Sequence, residues 1–323
     1  MIKNILITGG AGYIGAHIAE ILVRNKKKVF IIDDLSTGHR KLINRKAKFY
    51  KLDICQTNKI RTIIIQNKID SIIHLAAALS VGESQKKPKK YDKINVTGTK
   101  KLLLSLKKTK VKNFIFSSTC AVYKDKLSKV SERSKLKPTS VYGKTKLIGE
   151  KLISLYSKKN KLNYGILRFF NVVGASSTSQ IGQINKGDQL FKNLSIEIKK
   201  KKPVFKIYGT NYNTKDGTCV RDYIHVSDIA ELHFEVLKKI NSTNKSKILN
   251  CGYGKGLTVN EVISEFKKYA SNKLKIVHFK RRKGDMEKII ANNNNLRKFI
   301  KWRPKFNKLE KMVKTALRWE KNL

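Results

Sequence analysis

A tyrosine and a lysine in one short stretch have the residue types and the spacing for proton transfer. Tyr142 and Lys146 are four residues apart at the start of a segment with helical spacing, so both side chains point to one face. A phenol with a pKa of about 10 is a poor base at neutral pH, but a nearby ammonium and a positively charged ligand would lower that pKa. Thr119 ends a strand-like run, and its hydroxyl could relay the proton. Thr119, Tyr142 and Lys146 are therefore the candidate catalytic group.

The same tyrosine–lysine spacing is common by chance in a lysine-rich chain, so its meaning depends on a second motif near the N-terminus. That motif reads Gly9-Gly10-Ala11-Gly12-Tyr13-Ile14-Gly15. It follows an apolar strand and opens a helix, where glycines let the backbone approach a pyrophosphate at the helix N-terminus. An acid, Asp33, ends the next strand, eighteen residues after Gly15. Such a carboxylate accepts hydrogen bonds from the ribose hydroxyls and repels a 2′-phosphate. The pattern therefore predicts NAD rather than NADP.

Asp33 also has a simpler interpretation, because an acid at this position could cap a turn together with Asp34. The order of strand, glycine turn, helix, strand and acid favours the dinucleotide site over a capped turn.

The elements that must position these residues alternate along the first half of the chain. Apolar runs predict strands at 3–7, 29–32, 49–52, 69–75, 114–116 and 164–169. Helical spacing predicts helices after the glycine turn and at 58–67, 92–108 and 142–156. Alternating strands and helices indicate an α/β fold with a doubly wound, Rossmann-like parallel sheet. The end of the strand before Thr119 would then lie at the edge of the sheet where ligands bind.

The regular alternation stops after Asn171, which predicts a smaller second lobe. Residues 174–190 are rich in Gly, Ser, Gln and Asn and suit a substrate-facing loop, followed by short strands at 204–208 and 274–278 and helices at 258–269 and 307–319. A helix at 228–240 and a strand at 248–249 return to the first lobe. We therefore expect a cofactor-binding domain of residues 1–174 plus about 222–250. Residues 175–221 plus about 251–323 would form a discontinuous α/β substrate lobe.

The composition limits the possible partners. The net charge is +48, from 71 basic and 23 acidic residues, but 59 of the basic residues are lysines spread along the whole chain. Nucleic-acid readers favour arginine, which is scarce here, and carry recognisable motifs, which this sequence lacks, so we expect no specific nucleic-acid partner. Charge alone could still attract RNA in a salt-sensitive way. No apolar run is long enough to span a membrane, so we expect no membrane partner.

The cysteines and histidines indicate a cytoplasmic protein without a metal site. Cys55, Cys120, Cys219 and Cys251 are far apart in the sequence and form no CxxC pair. The histidines show no metal-ligand spacing. Widely separated thiols are typical of reduced, cytosolic proteins rather than of disulfide frameworks or zinc sites.

Short motifs over nearly the whole chain resemble those of the extended short-chain dehydrogenases/reductases. Besides the glycine turn, they are HLAA at 74–77, NVTGT at 95–99, SST at 117–119, YGKTK at 142–146 and LRFFN at 167–171. Three more stretches are similar to the UDP-glucose 4-epimerases of that group: VGES at 81–84, DGTCVRDYIHV at 216–226 and RRKGD at 281–285.

The resemblance implies a role for each matching residue. The implied NAD contacts are Gly9, Gly12, Tyr13, Ile14, Gly15, Asp33, Asp34, Asp53, Ile54, Leu75, Ala76, Ala77, Asn95, Ser117, Tyr142, Lys146 and Phe169. Among these, Asp53 and Ile54 would contact the adenine, whereas Asn95, Ser117 and Phe169 would face the nicotinamide. The implied substrate contacts are Thr119, Tyr142, Asn171, Tyr208, Arg221, Arg282 and Asp285. Tyr208 would lie near the uracil. Independently of the resemblance, Arg221 and Arg282 suit a diphosphate, because guanidinium groups bind its oxygens in pairs.

The implied activity is reversible C4 epimerisation of UDP-glucose and UDP-galactose through a 4-keto intermediate. Hydride would pass to and from tightly bound NAD, and helices 92–108 and 142–156 would pair in a homodimer. A 4,6-dehydratase would need an acid pair after Thr119, where Cys120 and Ala121 stand.

Several alternatives remain open at this stage. The chain lacks the glycine that usually follows Tyr123, and Leu79 and Gln189 replace polar residues of other kinds. In this family the position of Ile289 helps to wall the hexose pocket, and its intermediate bulk leaves open whether N-acetylhexosamines fit. Epimerases of UDP-N-acetylhexosamine or UDP-glucuronate therefore remain alternatives. A reductase or decarboxylase of the same fold is a further alternative. Outside this class, the chain could be a non-catalytic NAD-binding protein or a basic nucleic-acid-binding protein.

Overall fold

The computed structural model describes residues 2–125, 128–282 and 285–323. The strands are β1 (Asn4–Thr8), β2 (Lys28–Asp33), β3 (Lys48–Lys51), β4 (Ser71–His74), β5 (Asn113–Thr119), β6 (Lys129–Val130), β7 (Asn163–Phe169), β8 (Asn171–Val173), β9 (Val204–Tyr208), β10 (Val220–His225), β11 (Lys247–Cys251), β12 (Gly256–Thr258), β13 (Lys275–Phe279) and β14 (Lys288–Ala291).

The α-helices are α1 (Tyr13–Arg24), α2 (Thr57–Gln66), α3 (Val81–Lys86), α4 (Pro88–Tyr91), α5 (Gly98–Ser105), α6 (Val141–Asn160), α7 (Leu190–Glu197), α8 (Val226–Thr243), α9 (Val259–Lys267), α10 (Asn294–Phe299) and α11 (Leu309–Lys321). A π-helical turn, Asp92–Thr97, leads into α5. The segment predicted as one helix at 92–108 is therefore π-helical first and α-helical afterwards, and it ends at Ser105. Short 3₁₀ turns occur at Arg40–Leu42 and Cys120–Val122.

The main sheet has seven parallel strands in the order β3-β2-β1-β4-β5-β7-β11. Its strands are apolar on both faces because helices cover both. In β1, Ile5 and Ile7 pack in the core beneath α1 and α8, whereas Leu6 packs on the other side with α2, α5 and α6. The doubly wound Rossmann-like fold expected from the alternating pattern is confirmed.

A second lobe lies beyond β7. A mixed sheet joins β12, β10, β14 and β6, with β8 also paired to β10, and β9 pairs with β13. Helices α7, α9 and α11 enclose its apolar cluster. One segment of this region belongs elsewhere: Leu296, Ile300 and Trp302 pack into the core of the main sheet.

The sequence pattern did not predict the strands β6, β8, β10, β12 and β14 or the helices α3, α4, α7 and α10. The strands are short or carry charges, as Asp222 in β10 shows. This aspartate is fully buried because three backbone N–H groups, of Tyr253, Gly254 and Ala291, donate to its carboxylate. Partners that come from distant parts of the chain leave no periodic signal in the sequence.

Candidate active site

The glycine turn joins β1 to α1 and is shaped for close approach by a ligand. Gly9 has a φ of +74°, and a Cβ added to it would lie 2.6 Å from the backbone nitrogen of Ala76. Gly12 precedes α1, and within the described residues no side chain caps the first N–H groups of this helix. No acidic residue stands in its first turn. The open N–H groups and the helix dipole fit a pyrophosphate, so the residues of this turn match the phosphate part of NAD.

Asp33 lies at the carboxyl end of β2 and is tied to the glycine turn. It is 8% exposed, and its two carboxylate oxygens accept the backbone N–H groups of Ala11 at 3.0 Å and Leu35 at 2.9 Å. Burial raises the pKa of this carboxyl group. Each oxygen keeps a second lone pair for a ribose hydroxyl. Asp33 therefore organises the turn, as the simpler interpretation held, and its remaining lone pairs are compatible with the expected ribose contact. Asp34 instead accepts the backbone N–H of Ser36.

Asp53 and Ile54 follow β3 at the same edge of the sheet. Asp53 accepts the backbone N–H of Cys55 at 2.8 Å, and Ile54 is buried against Gly98 at the start of α5. This arrangement leaves a polar group beside an apolar one, which suits the edge and face of a purine.

The loop after β4 lies directly beside the glycine turn. The backbone N–H groups of Leu75 and Ala76 both donate to the carbonyl of Thr8, and Ala77 continues this loop. Asn95, in the π-helical turn, binds this loop through both the backbone N–H and the carbonyl of Ala78. Its side chain accepts from the Ala78 N–H at 2.8 Å and donates to the Ala78 carbonyl at 3.1 Å.

Asn95 also connects this loop to the helix that carries the candidate base. Its amide donates to the Thr145 hydroxyl at 3.0 Å, and that hydroxyl donates to the carbonyl of Tyr142 at 2.8 Å. Asn95 is 3% exposed, so it supports the loop from within. Asn95 lies in the π-helical turn, whereas the sequence predicted a regular helix at 92–108.

The carboxyl ends of β5 and β7 complete the floor of the site, and Thr119 pairs with Phe169 in their register. The Thr119 hydroxyl accepts the backbone N–H of Ala121 at 3.2 Å. Ser117 and Phe169 both contact His233 of α8, through a 3.4 Å polar contact and an edge-on ring contact of 5.3 Å.

Tyr142 and Lys146 lie on the first turns of α6, which Ser140 caps by accepting the Gly143 N–H at 3.0 Å. Burial raises the pKa of Tyr142, and a hydrogen bond with Thr119 offsets this only in part. Lys146 is 3% exposed, its ammonium lies 4.7 Å from the centre of the Phe116 ring, and burial lowers its pKa to about 7. In the polypeptide alone, burial outweighs the other influences on the pKa of Tyr142. The expectation that Lys146 and a bound nicotinamide together lower this pKa stays a prediction.

A buried network beneath the catalytic face escaped the sequence analysis. Arg168 of β7 binds both carboxylate oxygens of Glu150 at 2.9 and 2.6 Å, and Ser118 donates to the same carboxylate at 2.5 Å. Arg168 also donates to the Tyr123 hydroxyl at 3.0 Å. Glu150 lies one turn after Lys146 and raises the pKa of that lysine. The sequence signal was available, since an arginine in an otherwise apolar strand must have a buried partner.

Two of the expected substrate residues lie on neighbouring strands. Asn171 begins β8 and is exposed, and β8 pairs with β10, which carries Arg221. The Arg221 guanidinium donates to the carbonyl of Val220 at 3.0 Å. Burial raises the pKa of the Cys120 thiol to about 12, and the charge of Arg221 offsets this only in part. Arg221 therefore lies near the residue that follows Thr119 in the chain.

The other expected substrate residues lie where β9 meets the segment after β13. The Arg282 guanidinium lies 3.9 Å from the centre of the Tyr208 ring, so the cation already covers one ring face. The Asp285 N–H donates to the Arg282 carbonyl at 3.3 Å. Lys283 and Gly284, which belong to the RRKGD motif, lie outside the described residues.

A second feature absent from the sequence analysis is a contact between the two halves of the site. Asn185, in the loop before α7, donates to the Thr37 carbonyl at 2.7 Å and bonds His39 at 2.7 Å. The Tyr13 hydroxyl of α1 donates to the Gly174 carbonyl at 2.5 Å. The segment predicted as a substrate-facing loop therefore also contacts the loop after Asp33.

Histidine, cysteine and acidic side chains do not gather into any group of three or more that could bind a metal ion within the described ranges. In the same part of the chain, no helix is long and apolar enough to cross a membrane.

The chain resembles known proteins over nearly its full length. A UDP-glucose 4-epimerase of Lactobacillus helveticus is 38% identical over 321 residues, covering 99% of this chain and 97% of that protein. A structure of UDP-glucose-4-epimerase from Stenotrophomonas maltophila with bound NAD and formylated UDP-arabinopyranose has a TM-score of 0.95 at 31% identity, covering 99% and 98% of the two chains. The UDP-Glc/GlcNAc 4-epimerase of Campylobacter jejuni has a TM-score of 0.87 at 36% identity, covering 99% and 100%.

A protein-family model matches a stretch of the chain that contains the glycine turn, Asp33, Thr119, Tyr142 and Lys146. It spans residues 5–252 and describes the NAD dependent epimerase/dehydratase family. With this match and the near-complete coverage of its relatives, the chain belongs to the NAD dependent epimerase/dehydratase family.

Proposed function

We propose that this protein reversibly epimerises UDP-glucose and UDP-galactose at C4, as an NAD-dependent isomerase. The observation that carries the proposal is the position of Thr119, Tyr142 and Lys146 at the same edge of the sheet as the glycine turn and Asp33. The relatives described above, named UDP-glucose 4-epimerases, support the same reaction.

NAD would be held by the residues that the resemblance assigned to it. The α1 N-terminus and glycine turn would bind the pyrophosphate, Asp33 the adenosine ribose, and Asp53 with Ile54 the adenine. Asn95, Ser117 and Phe169 would line the nicotinamide side. When bound, NAD supplies a hydride acceptor that later returns the hydride.

The side chains of the protein manage the proton. Tyr142 takes the proton of the C4 hydroxyl as that carbon is oxidised to a ketone, and it returns the proton after the sugar has turned over. Thr119 lies close enough to affect the pKa of Tyr142, and its hydroxyl would steady the shared proton. Because burial raises the pKa of Tyr142, the phenolate needs cationic stabilisation. The nearest cationic candidate on the same helix face is Lys146, whose own pKa of about 7 lets it share in proton exchange near neutrality.

The substrate must be gripped by its nucleotide and left free at its hexose, so that either face of C4 can meet the hydride donor. Arg221 and Arg282 would bind the diphosphate, while Asn171 and Asp285 hold the rest of the UDP. Tyr208 would lie near the uracil. This assignment goes with a division of the chain into a cofactor domain, 1–174 plus about 222–250, and a substrate lobe formed by the remainder apart from the segment 296–302, which packs on the main sheet.

The assembly is proposed to be a homodimer built on α5 and α6. Three large apolar side chains on these helices are exposed, namely Leu104 (44%), Ile148 (40%) and Leu155 (57%). A second copy would cover them. The expected cytoplasmic location agrees with four cysteines that form no disulfide.

The experiment uses purified protein and UDP-galactose without added cofactor, and UDP-glucose formation is followed by chromatography. Tyr142→Phe is compared with Tyr156→Phe, which removes a phenol hydroxyl from the far end of the same helix. We expect equilibration by the wild type and by Tyr156→Phe, and a loss of roughly a thousandfold or more in Tyr142→Phe.

Parallel reactions with UDP-N-acetylgalactosamine and UDP-glucuronate test the substrate. Turnover of either one in place of UDP-galactose would move the assignment within the family. Net turnover of NADH, in either direction, would indicate a reductase or decarboxylase. No turnover of any substrate, with NAD added, would refute the proposal.

A further inference from the structure

The fold gathers lysines that the sequence spreads evenly. Because all seven strands of the main sheet are parallel, the segments that precede them meet at one edge, opposite the edge that carries the active site. Backbone hydrogen bonds join these segments side by side: Lys28 N–H to the Lys3 carbonyl, Lys112 N–H to that of Asp70, and Asn163 N–H to that of Lys112, each at 2.9 Å. The edge is therefore one continuous surface.

We name this surface the lysine face and define it by the segments 2–4, 25–28, 44–48, 67–70, 107–113, 158–163 and 244–247. Together they carry seventeen lysine and arginine residues and a single acidic residue, Asp70. All of the basic residues are exposed except Lys27, which is partly buried. The whole chain has about three basic residues for each acid, so the lysine face is far more cationic than the average of the molecule.

The charge of the lysine face is not neutralised from within. None of the nine ion pairs in the described part of the chain involves a residue of these segments. The Asp70 carboxylate accepts the backbone N–H groups of Lys3 and Asn4, both at 2.8 Å. A second carboxylate reaches the face from α1, where Glu20 accepts from the Asn44 amide at 2.6 Å.

Four lysines of this face occupy backbone positions that disfavour a side chain. Lys26, Lys68, Lys108 and Lys161 have φ values of 55°, 49°, 60° and 49°, in the left-handed region. Each follows a helix, at a position where glycine or asparagine is the usual residue. Lysine thus occupies four sites where glycine would be easier to accommodate.

We propose that the lysine face binds an anionic lipid surface and leaves the active site facing away from it. Seven strands spaced about 4.8 Å apart make the edge roughly 30 Å wide, so a plane could contact all segments together, whereas a duplex would contact a stripe. Sixteen of the seventeen cations are lysine, and the segments contain no aromatic residue. Lysine is a compact point charge, while nucleic-acid binding favours arginine forks and aromatic stacking. The sequence-based expectation of no membrane partner rested on the lack of a span, and peripheral binding needs none.

The experiment is co-sedimentation of the full-length protein with vesicles of phosphatidylcholine alone or of an equal mixture with phosphatidylglycerol. The face variant changes Lys110, Lys112, Lys158 and Lys159 to glutamine. The control variant makes the same charge change in the second lobe, at the exposed residues Lys201, Lys202, Lys267 and Lys273. Each pair of the face variant is also tested separately, in case the fourfold change affects folding, since lysines near helix C-termini offset the helix dipole.

We expect binding to the anionic vesicles only, weakening with salt. Each lysine near such a surface changes partition by about fivefold, so the face variant should bind at least about tenfold more weakly. The control variant should change by less than about twofold, and turnover of UDP-galactose should be unchanged in both. Three results would overturn the proposal: no binding to anionic vesicles, equal loss in the two variants, or displacement from the vesicles by RNA at equal phosphate concentration.

Discussion

The buried ion pair between Glu150 and Arg168 leads to a prediction whose size can be worked out from the structure. The two side chains are 4% and 1% exposed, and the guanidinium binds both carboxylate oxygens. Arg168→Met keeps the length and apolar character of the buried stem. It removes the charge that neutralises Glu150, and it takes a donor away from the Tyr123 hydroxyl.

Removing one partner of a buried pair typically costs about 3–5 kcal/mol, because the remaining charge stays buried. Here the Glu150 carboxylate keeps the hydrogen bond from Ser118 and lies one helical turn from Lys146. Both contacts stabilise the carboxylate, so we expect the low end, about 3 kcal/mol. The double variant Glu150→Gln/Arg168→Met buries no charge at this place. It should recover about 1–2 kcal/mol relative to Arg168→Met alone.

The assay is urea unfolding followed by fluorescence for the wild type, both single variants and the double variant, at one neutral pH and one salt concentration. Two results would refute the reasoning. The first is a loss of less than about 1 kcal/mol in Arg168→Met. The second is a double variant that is less stable than Arg168→Met, which would show that the Glu150 carboxylate stabilises the fold even without the guanidinium.

Three further predictions concern the cofactor site and the catalytic lysine. Gly9→Ala should bind NAD less well and be less stable, because its Cβ would lie 2.6 Å from the Ala76 nitrogen at a φ of +74°. The control Gly82→Ala, whose Cβ would lie 3.8 Å from the nearest neighbouring atom, should have nearly the wild-type stability in thermal unfolding. Asp33→Asn should retain less NAD after purification, measured in the supernatant of denatured protein, and should accept NADP more readily, because the repulsion of a 2′-phosphate is reduced. Lys146→Met should abolish turnover yet raise the free energy of unfolding near neutral pH by about 2–5 kcal/mol, because the ammonium is buried.

The pH dependence gives a second check on Lys146. Its pKa is lowered from 10.5 to about 7 in the folded protein, so between these values the unfolded chain binds the extra proton. Wild-type stability should therefore rise relative to Lys146→Met as pH increases from about 7 to about 10. A constant difference over this range would show that folding does not lower the pKa of Lys146. Equal NAD retention by Gly9→Ala and Gly82→Ala, or full retention by Asp33→Asn, would contradict the cofactor assignments.

Much of the fold and part of the site follow from local sequence patterns. Apolar runs such as Ile5–Ile7 predict buried parallel strands because a strand covered on both faces must be apolar throughout. The glycine turn and Asp33 could be recognised because a tight turn and a ribose contact each need one kind of residue at one spacing. Tyr142 and Lys146 share a helix face by periodicity alone. These features depend on residues that are close together in the sequence, or on the order of strands and helices along the chain.

The tertiary structure decided what depends on residues that are distant in the sequence. Arg168 reaches Glu150 only because β7 lies beneath α6, and this contact gives a buried charge its partner. The environment of Tyr142 is likewise set by burial, which outweighs the neighbouring groups that the sequence could suggest. The lysines are evenly spread in the sequence, yet parallel pairing brings seven separate segments to one edge, and Asp70 is the single acidic residue among them. A one-dimensional pattern cannot show this, because the spacing of the charges on the surface is set by the order of strands in the sheet.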